Sequence, residues 1–184
     1  MTHLFLAGIA QDLAARGIAT LRYQFPYMER GGKRPDSPTV CHATVRAAVL
    51  TARKLAPKLA LLAGGKSFGG RMSSQAQAAS PLPHVCGLVF LAFPLHAPNR
   101  PSSERGEHLS NVRIPMLFLQ GTRDALADLA LIRRLIKRLG KLATLHVISD
   151  ADHSFHVLVR SGRTDEQVRR EMLDSLANWI AAII

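Results

Sequence analysis

Three side chains in this sequence, Ser67, Asp124 and His153, are of the types that together make a strong nucleophile near neutral pH. A serine hydroxyl attacks poorly until a base takes its proton. A histidine can be that base, and a buried carboxylate fixes its tautomer and stabilises the imidazolium that forms. Ser67 stands in Gly65-Lys66-Ser67-Phe68-Gly69, Asp124 closes Gln120-Gly121-Thr122-Arg123-Asp124, and His153 lies in Asp150-Ala151-Asp152-His153-Ser154-Phe155. Each stretch follows an apolar run. A G-x-S-x-G spacing between a strand and a helix predicts a tight, strained turn that exposes the serine oxygen. The start of the helix adds N–H donors and partial positive charge, which suit a developing oxyanion.

The pattern alone does not decide the matter. Thirteen glycines in 184 residues let G-x-S-x-G arise by chance in about 6% of such chains. A glycine-rich strand–helix connection with an incidental serine is the plain alternative. Asp124 could instead N-cap the helix that follows. Asp152 or Asp128 could supply the carboxylate, and His156 is close enough in sequence to be the base. His153 could also be a solvated loop histidine, one of eight histidines in the chain. Position sets the trio apart: suitable residue types at three strand ends, in the order serine, aspartate, histidine.

The elements that must hold these residues follow from pattern. Residues 3–15 read as a helix with Leu6, Ile9, Ala10 and Leu13 on one face and Gly17 as its stop. Residues 18–25 read as a strand ended by Pro26, and a polar, basic loop follows through Asp36. Ser37-Pro38 supplies an N-cap and an N1 proline for a helix to Leu55. Further strands are expected at 59–63, 85–92, 116–120 and 142–148. Helices are expected at 70–79 and 126–139, and residues 93–115 form an irregular, proline-rich excursion. Thr164-x-x-Gln167 is a capping box that opens a last helix, with Val168, Met172, Leu176, Trp179 and Ile183 on its apolar face. Alternating strands and helices predict the α/β class. The expected architecture is a three-layer α/β/α sandwich, with helices on both faces of a mostly parallel, five-stranded sheet. Working residues in such sheets sit at the carboxyl ends of strands. The length suits one domain, residues 1–184, without a cap domain.

Bulk properties narrow the function classes. A hydrophobic content of 47% with 20% charged residues is that of an ordinary globular chain. No apolar run approaches a membrane span, and the start lacks the basic region of a secretion signal. Two cysteines, Cys41 and Cys86, do not make a disulfide framework, so the cytoplasm is the expected location. The net charge of +11 raises nucleic-acid binding as a candidate. The basic residues are scattered, however, and no aromatics alternate with them. The densest cluster, Arg133, Arg134, Lys137, Arg138 and Lys141, alternates with Ile132, Leu135, Ile136 and Leu139 like the solvated face of a helix. No nucleic-acid partner is expected. Anionic substrates could also account for the charge.

On these residues the sequence resembles the α/β-hydrolase superfamily, in its dienelactone-hydrolase-like branch. Within that branch it is similar to small bacterial hydrolases related to the hydrolase-like subunit of an animal histone-acetyltransferase complex. The stretches that carry the resemblance are Arg22-Tyr23-Gln24-Phe25-Pro26-Tyr27-Met28, Gly64-Gly65-Lys66-Ser67-Phe68-Gly69-Gly70-Arg71, Phe93-Pro94-Leu95-His96, Gln120–Asp124 and Asp152-His153-Ser154-Phe155. The resemblance implies Ser67 as nucleophile, Asp124 as acid, His153 as base and the Phe68 N–H as one oxyanion donor. It implies a small ester or thioester substrate cleaved through an acyl-enzyme, with no cofactor and no metal. It assigns no role to Lys66 or Arg71, which could simply make local ion pairs. The fold also serves non-catalytic binding and scaffold proteins, so that class stays open.

Members of this group carry a strand and a His-Gly-x-Gly-like loop ahead of the first helix, and that loop gives the second oxyanion N–H. The sequence as written opens at the helix. Two expectations follow for the 184-residue chain. Residues 18–25 should pair directly with 59–63, and esterase activity should be weak for want of a second donor.

Overall fold

The structure, a computed structural model, describes residues 4–184. Helix α1 spans Leu4–Ala14; the expected helix start at residue 3 lies outside the described residues. A short helix α2, Pro26–Glu29, begins on the proline expected to end a strand, because proline's fixed φ suits a first helical turn. Helix α3 runs Pro38–Leu55, with the Ser37 side chain accepting from Val40 N. There follow β1 (Leu61–Lys66), α4 (Phe68–Ala79) and β2 (Val85–Leu91). A 3₁₀ segment, Glu104–Asn111, interrupts the long excursion after β2. Then come β3 (Met116–Gly121), α5 (Leu129–Leu139), β4 (Ala143–Ile148) and α6 (Asp165–Ile183). The capping box of α6 is formed by Thr164 and Gln167 as the spacing predicts.

Among the described residues the sheet has four strands in the order β1-β2-β3-β4, all parallel. The fifth strand expected at 18–25 is absent, and so is its pairing with β1, which lies at the sheet edge. Aromatic side chains anchor this segment. Residues 19–22 are exposed, while Phe25 is buried and packs edge-on against Phe68 of α4, ring centroids 5.4 Å apart. Tyr23 meets Phe25 at 5.8 Å, and Tyr27 meets Phe68 at 6.3 Å. These aromatic contacts satisfy the inward residues on α4, so the apolar alternation of 18–25 reflects anchoring rather than sheet pairing.

The alternation along β2 and β3 builds two cores. Leu88, Phe90, Met116 and Phe118 face one side, with Val45 and Val49 of α3, Met72 and Ala76 of α4, and Ile132 and Leu135 of α5. Leu91, Leu117 and Leu119 face the other, with Ile9 and Leu13 of α1 and Val168, Met172 and Trp179 of α6. The result is the expected three-layer α/β/α sandwich, with helices covering both faces of a parallel sheet. Residues 92–115 contribute Phe93, Leu95, Leu109 and Val112 to the buried core, so this excursion is packed into the body and forms no cap.

Candidate active site

β1 runs without a break to Lys66, and α4 begins at Phe68, leaving Ser67 alone to reverse the chain. Its backbone sits at φ 51°, ψ −117°, a conformation that costs a non-glycine residue of order 1–3 kcal/mol and persists only when the surroundings fix it. They do so from both sides: Ser67 N donates to Leu91 O at 2.9 Å, and Arg71 N donates to Ser67 O at 3.1 Å. Close approach of α4 to the strand depends on Gly70, where an added Cβ would lie 2.6 Å from Gly65 O. At Gly69, the last glycine of the G-x-S-x-G spacing, a Cβ would meet nothing within 4 Å. The crowded position is therefore one residue beyond the pattern.

The structure brings Ser67, His153 and Asp124 together. His153 Nε2 lies 2.8 Å from Ser67 Oγ. Its Nδ1 lies 2.9 Å and 2.8 Å from the two carboxylate oxygens of Asp124. A carboxylate can only accept, so Nδ1 carries the proton and Nε2 is left to accept from the serine hydroxyl. The Asp124 side chain is fully buried, whereas 23% of the His153 side chain remains exposed.

The alternatives take other positions. Asp128, not Asp124, caps α5, accepting from Leu131 N at 2.9 Å. Asp152 accepts from Ser154 N and His156 N and so shapes the turn that presents His153. His156 faces solvent and pairs with Asp165, whose hydrogen bond is the main cause that raises the histidine's pKa. The two loops bearing Asp124 and His153 can touch because of Gly121: a Cβ there would lie 2.3 Å from Ala151 O.

Two supporting residues had no assigned role in the sequence. Gln120 is fully buried at the end of β3, and its Nε2 donates to Asp124 Oδ2 at 2.5 Å. The other carboxylate oxygen accepts from Leu126 N at 2.8 Å. A polar residue closing the otherwise apolar run Met116–Leu119 was the available signal. Lys66 does not make the local ion pair considered for it. Its Nζ donates to the backbone oxygen of His153 at 3.0 Å and lies over the Phe5 ring, 5.7 Å from the centroid. Burial lowers the Lys66 pKa, against the opposing pull of Asp124 and Asp152. Among the described residues no group of histidines, cysteines and acids is placed to hold a metal ion.

A parallel sheet covered on both faces, with a strained serine turn after one strand and its aspartate and histidine partners after later strands, defines the nucleophile-elbow class of α/β proteins. The chain belongs to the α/β-hydrolase domain family, which it matches over residues 1–181. Solved structures agree on the fold. A lid-less α/β serine hydrolase from Xanthomonas campestris superposes with a TM-score of 0.74 at 24% identity, over 97% of this chain and 75% of that one. An α/β serine hydrolase homologue from Coxiella burnetii gives 0.75 at 20% identity, over 96% and 77%. A candidate dienelactone hydrolase from Klebsiella pneumoniae gives 0.65 at 20% identity, over 97% and 81%. No helix among the described residues is long and apolar enough to cross a membrane.

Proposed function

We propose that the protein is a serine hydrolase that cleaves a small ester or thioester through an acyl-enzyme on Ser67. The observation that carries this reading is the unbroken line from Ser67 Oγ through the His153 imidazole to the buried Asp124 carboxylate, each step within 3 Å. In the first half-reaction Ser67 Oγ bonds to the carbonyl carbon as its proton passes to His153 Nε2. The tetrahedral oxyanion is held by the Phe68 N–H at the open start of α4. Collapse breaks the bond to the leaving oxygen or sulfur, which takes the proton from His153. Water then repeats the sequence on the acyl-enzyme, losing its proton to His153 and releasing the acid. Asp124 stays ionised and stabilises the imidazolium in both halves.

The packing of residues 92–115 into the body and the part-exposed His153 fit a shallow site, which favours short acyl groups over long chains. The lid-less description of the Xanthomonas neighbour fits this reading. The test is turnover of p-nitrophenyl acetate by the purified chain. Ser67→Ala and His153→Gln should each lower kcat by at least about 10³-fold, since members of such a trio act as one unit. A variant chain that keeps wild-type turnover in either case contradicts the assignment.

A further inference from the structure

We infer that His96 is a positioning residue: as a neutral imidazole it clips the loop that carries Asp124 to the segment that holds Ser67. The inference rests on the serine-hydrolase reading above and adds a residue, outside the line of Ser67, His153 and Asp124, that sets the geometry of that line.

His96 closes Phe93-Pro94-Leu95-His96, the stretch after β2 that the three central residues leave without a role. It is 5% exposed. A buried imidazole needs a partner for each nitrogen, and here the main chain supplies both. Asp128 N donates to His96 Nε2 at 2.7 Å. A main-chain N–H cannot accept, so Nε2 is bare and Nδ1 carries the proton. Nδ1 donates to Ala97 O at 2.9 Å. The neutral ring protonated on Nδ1 satisfies both contacts at once. The imidazolium and the other tautomer would each set a ring N–H against the Asp128 N–H.

The backbone of His96 adds a second bond in the same direction, its N donating to Leu126 O at 3.0 Å. Leu126 and Asp128 belong to the loop between β3 and α5. Within that loop Leu126 N donates to Asp124 Oδ1 at 2.8 Å, and Ala127 N donates to Asp124 O at 3.2 Å. The residue that orients the carboxylate, Leu126, is therefore one that His96 grips. Asp128 also caps α5, so the imidazole ties the loop where it enters the helix.

The other end of the same segment meets the nucleophile. Leu91 O accepts from Ser67 N at 2.9 Å. Ala92, at φ 58°, turns the chain out of β2, and its N donates to Leu119 O at 2.9 Å. Phe93 and Leu95 are buried in the core. Residues 91–96 thus form a fixed bridge, with the Ser67 backbone at one end and the Asp124 loop at the other. The bridge sets the gap between nucleophile and acid, and His153 fits that gap at 2.8 Å from Ser67 Oγ and 2.8 Å from Asp124 Oδ2. Without the clip the acid loop is free to shift against Ser67, and small misplacements of such groups are costly in rate.

The experiment measures kcat and KM for p-nitrophenyl acetate in His96→Leu and His96→Gln. Leucine fills the space without either ring bond, whereas the glutamine Oε1 can accept from Asp128 N. His96→Leu should lower kcat by about 10–100-fold with KM little changed. His96→Gln should regain most of that loss. Should His96→Leu fail to fold, His96→Asn, too short to reach Asp128 N, takes its place. The second readout is nuclear magnetic resonance of the folded full chain with isotope-labelled histidine. In the wild type the His96 nitrogens should show a bare Nε2 and a protonated Nδ1, and the His153 Nδ1 proton should resonate far downfield through its bond to Asp124. That resonance should broaden or move upfield in His96→Leu and return in His96→Gln. If the wild type turns over no ester, the hydrolase reading falls, and the His153 resonance alone decides the clip. A folded His96→Leu chain with wild-type kcat and an unchanged His153 resonance overturns the proposal, even if its Tm is lower. A His96 protonated on Nε2 overturns it as well, as does a His96→Gln chain no faster than His96→Leu.

Discussion

At the scale of single residues, the site depends on two side chains that do no chemistry themselves. Lys66 precedes the nucleophile and its Nζ grips the His153 backbone oxygen, so one residue ties the serine strand to the histidine loop. Lys66→Met should lower kcat about 10–100-fold with little change in KM, the scale of one hydrogen bond to a charged donor. Lys66→Arg should restore part of the loss. The grip is strongest in the ammonium form, whose charge assists the hydrogen bond. Burial holds the Lys66 pKa below the ordinary lysine value of 10.5, so the lysine loses its proton earlier than a free lysine as pH rises. An alkaline fall in kcat should therefore begin below that value and move upward in Lys66→Arg, because arginine keeps its charge; a pH–rate profile reads this directly. Gln120→Leu should act similarly through Asp124, which would lose one of its hydrogen-bond donors. The three central residues were legible in the sequence because their types and order are chemically restrictive. Gln120 and Lys66 were not, since side-chain direction decides both contacts: the Gln120 amide turns to the Asp124 carboxylate of the following loop, and the Lys66 ammonium reaches a main-chain oxygen in the distant histidine loop.

At the scale of elements, close approach decides what the loops can do. Gly121 ends β3 under the loop that carries His153, and an added methyl would press on Ala151 O. Gly121→Ala should therefore separate Asp124 from His153. The expected outcome is a loss of stability of about 1–3 kcal/mol in urea unfolding, with a larger fractional loss of kcat. The same variant with wild-type stability and turnover would mean that the loop yields without cost. Strands β1 to β4 and the long helices were legible because apolar runs, caps and helical periodicity are local signals. The Ser37 cap and the Thr164–Gln167 box fall where those signals place them. The segment 18–25 was misread for a physical reason: its inward aromatics pack on Phe68 of α4 instead of facing a neighbouring strand, and alternation alone does not distinguish the two. Helix α2 was missed because a proline can equally end a strand or start a helix, and the sequence does not rank those uses; here Pro26 starts the helix.

At the scale of the whole molecule, the +11 charge comes with few internal ion pairs around Arg71, Arg105 and His108. Acid should add to that imbalance. The His108 pKa falls from 6.5 to about 4 on folding, with burial as the largest cause. The unfolded chain therefore takes up this proton first, and stability should decline as pH drops from 6.5 to about 4, then level off in this contribution. His108→Gln, which can keep a hydrogen bond to Ser74, should flatten that part of a Tm–pH curve. A curve equally steep in the variant would assign the decline to other groups. The central claim, that Ser67 is an activated nucleophile, is tested most directly by labelling the chain with a fluorophosphonate and mapping the adduct by mass spectrometry. Stoichiometric labelling on the Ser67 peptide, abolished in Ser67→Ala and strongly slowed in His153→Gln, is the predicted result. Labelling that persists in Ser67→Ala, or no labelling of the folded wild-type chain, would contradict it.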